Sequence, residues 1–228
     1  MPRNARCVVP GLPYHVTQRG TNRQPVFFSA GDRHTYLRLL GAVLEEAQAR
    51  VLAYCLMTNH VHLVVTPAAD DALAILLRRT HGRYAQYLNA RRQRSGHLWQ
   101  NRFFSCPLSA GRLATALRYV ERNPVRAGLA ARADDYAWSS APAHLSGRDR
   151  TGVLDMAFWR ERGEAAGWRA MLGEGEDARE TRLLRRCTFA GRPFGEEEFV
   201  QKIEKRFWRR WRRWGFEQEL ATAAVSGQ

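Results

Sequence analysis

Tyr54-Cys55-Leu56-Met57-Thr58-Asn59-His60-Val61-His62-Leu63-Val64-Val65 is the stretch whose reading decides the fold. Apolar runs flank the polar break at Thr58-Asn59, a pattern of two strands joined by a tight turn. Side chains two apart on a strand share a face, so His60 and His62 project together while Val61 points into a core. Two imidazoles side by side on one strand make half of a metal site, although polar residues on a solvated face would look the same. A third group elsewhere in the chain has to decide between these readings.

Upstream, Leu12 to Gly20 has strand composition, and Gly20-Thr21-Asn22-Arg23-Gln24 is a polar basic loop, either an ordinary turn or a phosphate contact. Asp32 can cap a helix running to about Arg50, with Tyr36, Leu39, Leu40, Val43, Leu44 and Ala47 on one stripe. Downstream, Pro67 closes the hairpin and Asp70-Asp71 open a basic helix toward Arg92. His97 to Cys106 reads as a fourth strand with aromatic and basic residues mixed, and a third helix begins near Ala110. The order strand, helix, strand, strand, helix, strand predicts an α+β fold: a ferredoxin-like antiparallel sheet with helices on one face. That architecture serves RNA-binding domains as well as nucleases and does not decide function.

Residues 1–145 are expected to form this domain, and 146–228 a basic, mainly helical C-terminal extension. Tyr136 to Ser140 should pack back on the domain, Ser146 to Gly152 form a loop, Met156 to Met171 a helix, and Gly173 to Asp177 an acidic linker. From Glu196 to Trp214, Phe199, Ile203, Phe207 and Trp211 recur at helical spacing among lysines and arginines. Such a segment can dock on the domain, grip nucleic acid with Trp208 or Trp214 free to stack, or lie on a membrane surface.

The 228 residues carry a net charge of +14, nearly all of the positive charge being arginine, which favours a nucleic-acid partner. Cys7, Cys55, Cys106 and Cys187 have no paired-thiol spacing, which argues against a zinc ribbon or a disulfide framework and fits a reducing cytoplasm. No signal peptide or membrane-length apolar run is evident, so a soluble, cytoplasmic protein is expected.

The third group comes from Tyr119 and Asn123, four apart and therefore on one face of a helix that reaches both. An amide oxygen can join two imidazoles around a hard divalent ion. Pro124 pushes the residue before it away from helical geometry, so Asn123 stands at the limit of that helix. A tyrosine beside a metal-bound phosphate could form a phosphotyrosine that conserves the ester bond, which suits strand transfer. Glu121 lies off the Tyr119 face and is given no chemistry.

These residues resemble the single-tyrosine HUH nucleases. His60-Val61-His62 after Met57-Thr58-Asn59 matches their histidine pair, and Leu117 to Gly128 is similar to their tyrosine-bearing helix. Tyr14 to Gly20, Trp99 to Phe103 and Trp138-Ser139-Ser140 also fit, so five motifs occur in order between about Pro13 and Ser140. Thr188 to Gly195 resembles a glycine-arginine-proline segment of longer relatives. The likeness is greatest to transposases of small bacterial insertion sequences and their relatives associated with repetitive extragenic palindromes (REP). It implies metal-dependent cutting of single-stranded DNA near a hairpin, such as a REP-like sequence or an insertion-sequence end. Tyr119 would join the 5′ phosphate, with His60, His62 and Asn123 holding Mg2+ or Mn2+, in a monomer or a homodimer. Arg19, Asn22, Arg23, Gln100 and Arg102 are the candidate DNA contacts. The competing readings are a non-catalytic protein that binds hairpin DNA or RNA on the same sheet, and a structural zinc site.

Overall fold

Four strands form an antiparallel sheet at the centre of the computed structural model, which describes residues 8–162 and 165–211. They are β1 (Tyr14–Arg19), β2 (Ala49–Leu56), β3 (His60–Pro67) and β4 (Phe104–Pro107), in the order β2-β3-β1-β4. With α1 (Ala30–Gly41) after β1 and α2 (Ala72–Arg91) after β3, this is the ferredoxin-like arrangement that the sequence predicts. The Met57 N–H donates to the His60 carbonyl at 2.9 Å and closes the Thr58-Asn59 turn. Register then sets Thr17 and Cys55 on either side of His62, with Arg19 beside His60.

Alternation along the strands divides the sheet into two faces. Tyr14, Val16, Tyr54, Leu56, Val61, Leu63 and Val65 bury against α1 and α2, so these two helices share a face as expected. The other face, carrying Ala53, Cys55, Val64 and Cys106, is covered by further helices. These include α3 (Ala110–Glu121), continued by the short α4 (Asn123–Arg126), and, after α5 (Ala141–Ser146), α6 (Met156–Glu161) and α7 (Ala165–Gly173), helix α8 (Ala178–Ala190) against β4.

Several boundaries differ from the sequence reading. Helix α1 is capped by Ser29, whose hydroxyl accepts from the Asp32 N–H while the Asp32 carboxylate accepts from the Ser29 N–H. It ends at Gly41 rather than near Arg50, because Val43 and Leu44 already bond three residues back and the chain tightens into turns before β2. The fourth strand is only Phe104–Pro107; Trp99 bridges singly to Gly20. The stretch from Met156 to Met171 divides into α6 and α7. Helix α8 was not expected from the sequence. Its signals are Asp177, which caps it through the Arg179 N–H, Gly191 in the left-handed region after it, and the buried face Leu183, Leu184, Cys187 and Thr188. The final helix, α9 (Glu197–Phe207), buries Val200 and Ile203 and stops at Trp208, which is 97% exposed. Cys7 and Trp214 lie outside the described residues.

Glu121, on α3, is fully buried and ties this helix to the C-terminal half. It accepts from the Ser140 hydroxyl at 2.5 Å and the Trp168 indole N–H at 2.8 Å, and His144 Nδ1 lies 2.5 Å away. A buried carboxylate without such donors would be strongly unfavourable, so the network fixes α3 in place.

Candidate functional site

A cavity of about 190 Å³ opens on the sheet face that carries His60 and His62. From β1 it receives His15 and Arg19, from α3 and α4 Tyr119, Asn123 and Arg126, and from α8 Arg185, Thr188 and Phe189. The two β3 rings are 4.9 Å apart, and Tyr119 meets His62 edge-on at 5.6 Å between centroids. The sequence-predicted pair and tyrosine are therefore brought together, although 57 positions separate His62 from Tyr119 along the chain.

All the histidines here are held neutral. Burial, reinforced by Arg126, pushes His15 down to about 3. Burial and then the Arg19 charge push His60 down to about 4. His62 is driven well below its ordinary value, first by burial and then by its neighbouring histidines. A neutral imidazole keeps a lone pair for a cation. His60 Nδ1 is taken by Asn59 Oδ1 at 2.6 Å and His62 Nδ1 by His15 Nε2 at 2.9 Å, so both rings present Nε2 to the cavity.

Tyr119 sits at the end of α3, where Pro124 does not unwind the chain. Pro124 falls in the first turn of α4, where a missing N–H costs nothing, and the Ala127 N–H still reaches the Asn123 carbonyl at 3.0 Å. Asn123 is consequently buried on the Tyr119 side, its amide donating to the Tyr119 carbonyl at 3.3 Å. Arg126 lies over the Tyr119 ring at 4.2 Å and is anchored by Glu176 at 2.7 and 2.5 Å. Glu176, expected in a linker, is thus a structural partner. Burial raises the Tyr119 phenol above its ordinary value, while Arg126 and Arg185 oppose that shift.

Of the candidate DNA contacts, Arg19 and Gln100 line the cavity. Asn22 and Arg23 are exposed on a loop with positive φ at both positions, and Arg102 is exposed beside a separate depression lined by Gln18, Arg78 and His81.

A family model described as "Transposase IS200 like" matches residues 8–123, just over half of the chain. The chain belongs to the IS200-like transposase family. Among solved structures, one of a REP-associated tyrosine transposase bound to a REP hairpin superposes with a TM-score of 0.56 at 16% identity. It covers 68% of this chain and 90% of that one, and shows a shared fold. A candidate transposase from Deinococcus radiodurans aligns at 18% identity and a TM-score of 0.37, covering 53% of this chain and 97% of that one. No curated protein matches the sequence.

In this IS200-like transposase, no group of three or more His, Cys, Asp or Glu among the described residues is arranged to hold a metal ion. A cation at the cavity would instead use two imidazole Nε2 atoms and the Asn123 amide, a donor set suited to a divalent ion that tolerates mixed nitrogen and oxygen ligands. No helix among the described residues is long and apolar enough to cross a membrane. The sequence reading missed His15, Arg126, Arg185 and Thr188 as cavity residues. His15 was legible in principle, because the strand period places it opposite Tyr14 and Val16. The α8 residues were not, because nothing local to them points at β1.

Proposed function

We propose that this transposase cuts single-stranded DNA beside a folded hairpin and transfers the cut strand through a 5′-phosphotyrosine at Tyr119. The observation that carries the reading is the edge-on packing of Tyr119 against His62 in a cavity rimmed by Arg19, Arg126 and Arg185 and lined by no Asp or Glu among the described residues. Such a pocket attracts a phosphodiester. The solved relative bound to a REP hairpin supports a hairpin DNA partner.

His60, His62 and Asn123 would hold Mg2+ or Mn2+, which supplies Lewis acidity toward a non-bridging phosphate oxygen. The protein's own groups do the rest. Arg19 and Arg185 orient the phosphate, and Gln100 stands at the cavity wall to contact the strand. Arg126, stacked on the Tyr119 ring, favours loss of the phenol proton against the opposing effect of burial. Tyr119 Oη bonds to phosphorus as the P–O3′ bond breaks, and the leaving 3′ oxygen takes up a proton. The ester survives as phosphotyrosine, ready for attack by another 3′ hydroxyl. Asn22, Arg23 and Arg102 would follow the DNA backbone outside the cavity. All the groups named here come from one chain, which a monomer or a homodimer would each supply.

Burial that keeps Tyr119 protonated favours a second reading, a non-catalytic hairpin-binding protein. Incubation with hairpin-bearing single-stranded DNA and Mn2+ separates the two. Wild type should give a covalent protein–DNA adduct on a denaturing gel, and Tyr119→Phe none. An adduct that survives the substitution would remove Tyr119 from the mechanism. Wild type that binds the hairpin without any adduct would establish the binding reading.

A further inference from the structure

His15 and Thr188 form a hydrogen-bonded chain behind His62, and its proton order follows from counting donors. Thr188 Oγ1 lies 2.8 Å from the Leu184 carbonyl oxygen, 2.7 Å from His15 Nδ1 and 3.3 Å from Cys106 Sγ. A carbonyl has no proton to give, so the 2.8 Å oxygen pair requires the single hydroxyl proton of Thr188. Thr188 must therefore accept from His15, and this ring, buried in a cavity lined by no Asp or Glu among the described residues, carries its single proton on Nδ1. His15 Nε2 is then a bare acceptor, and the 2.9 Å contact to His62 Nδ1 requires the proton on His62. His62 Nε2 is left unprotonated toward the cavity.

We infer that Thr188, acting through His15, fixes the tautomer and the plane of His62, and that α8 is thereby a working part of the site. The two rings are parallel within 6° at 5.1 Å between centroids, and both are almost completely buried, so neither can turn independently. Thr188 and His15 line the cavity, but their polar atoms are engaged with each other, with the Leu184 carbonyl and with His62, so they are positioning residues. Outer partners of this kind fix which imidazole nitrogen faces a cation. The inference rests on the proposed role of His62 as a ligand, but the relay itself can be read without metal or DNA.

Long-range 1H–15N spectra of the metal-free full-length protein at neutral pH should show Nδ1–H tautomers for both His15 and His62. An Nε2–H tautomer at His62 in wild type would overturn the relay. Thr188→Val keeps the shape and removes the hydroxyl; it should mix the tautomers and weaken Mn2+ binding, followed by electron paramagnetic resonance, by roughly 10- to 100-fold. Thr188→Ser should restore both. Unchanged tautomers and unchanged Mn2+ affinity in Thr188→Val would also overturn it. Wild type with the expected tautomers and no Mn2+ binding would leave the relay standing and remove the metal reading of the proposed function.

Discussion

The two faces of the sheet each bury a histidine and use it differently. On the α1–α2 face, His81 has both ring nitrogens engaged, Nδ1 with Gln18 Oε1 at 2.5 Å and Nε2 with the Tyr36 hydroxyl at 2.8 Å. Its ring stacks on Trp99 at 4.3 Å. On the opposite face His62 has one nitrogen engaged and the other turned to a cavity. Both rings are neutral for the same reason, since burial disfavours the charged form in each. A shifted pKa therefore does not mark the working histidine. The unfilled lone pair does.

The contrast can be tested where its consequences are largest, in stability. Tyr84 is fully buried on the closed face, and its hydroxyl donates to the Val26 carbonyl at 2.6 Å. Tyr84→Ala should cost about 3–5 kcal/mol in urea unfolding, whereas His60→Ala on the open face should cost no more than about 1 kcal/mol. Equal losses would mean that the open face is also built for packing.

Acid should affect both faces together. His15 and His81 are each pushed down to about 3 in the folded protein, mainly by burial. Their unfolded counterparts take up protons below about pH 6.5. The unfolded state then binds more protons, so stability of the metal-free protein is full above that pH and declines as pH falls toward about 3. His81→Gln should make this acid limb shallower while leaving Mn2+ binding unchanged. A limb of unchanged slope would show that His81 does not contribute.

The smallest effect concerns cations inside and outside the cavity. Arg19→Ala and Arg102→Ala should each lower the slope of log affinity against log salt for single-stranded hairpin DNA by about 0.7 if each neutralises one phosphate. Only Arg19→Ala should also slow adduct formation at saturating DNA. Equal slowing by both would extend the working site beyond the cavity wall.

What was legible in the sequence was local. The alternation around His60 and His62 specified their common face, and four-residue spacing specified that of Tyr119 and Asn123. The register that sets His62 between Thr17 and Cys55 arises from pairing with strands elsewhere, but turn and pleat made it inferable. Arg126 was within reach of the same reasoning, being seven residues beyond Tyr119, yet its place over the ring depends on Glu176, which reads as part of a linker. Thr188 was beyond it, because its partner lies 173 positions away and the arginines of α8 hide a three-residue apolar face.

That separation has a consequence for the time at which the protein becomes competent. A ribosome adding about 5–20 residues per second takes on the order of ten seconds or more to travel from His15 to Thr188. During that interval the nascent sheet can hold both β3 imidazoles while the hydroxyl that orders the His62 proton has not yet been made. On the reading proposed above, a truncated or stalled chain ending before α8 carries the tyrosine and the histidine pair without the group that aims His62. On that reading, competence begins only once α8 has been made.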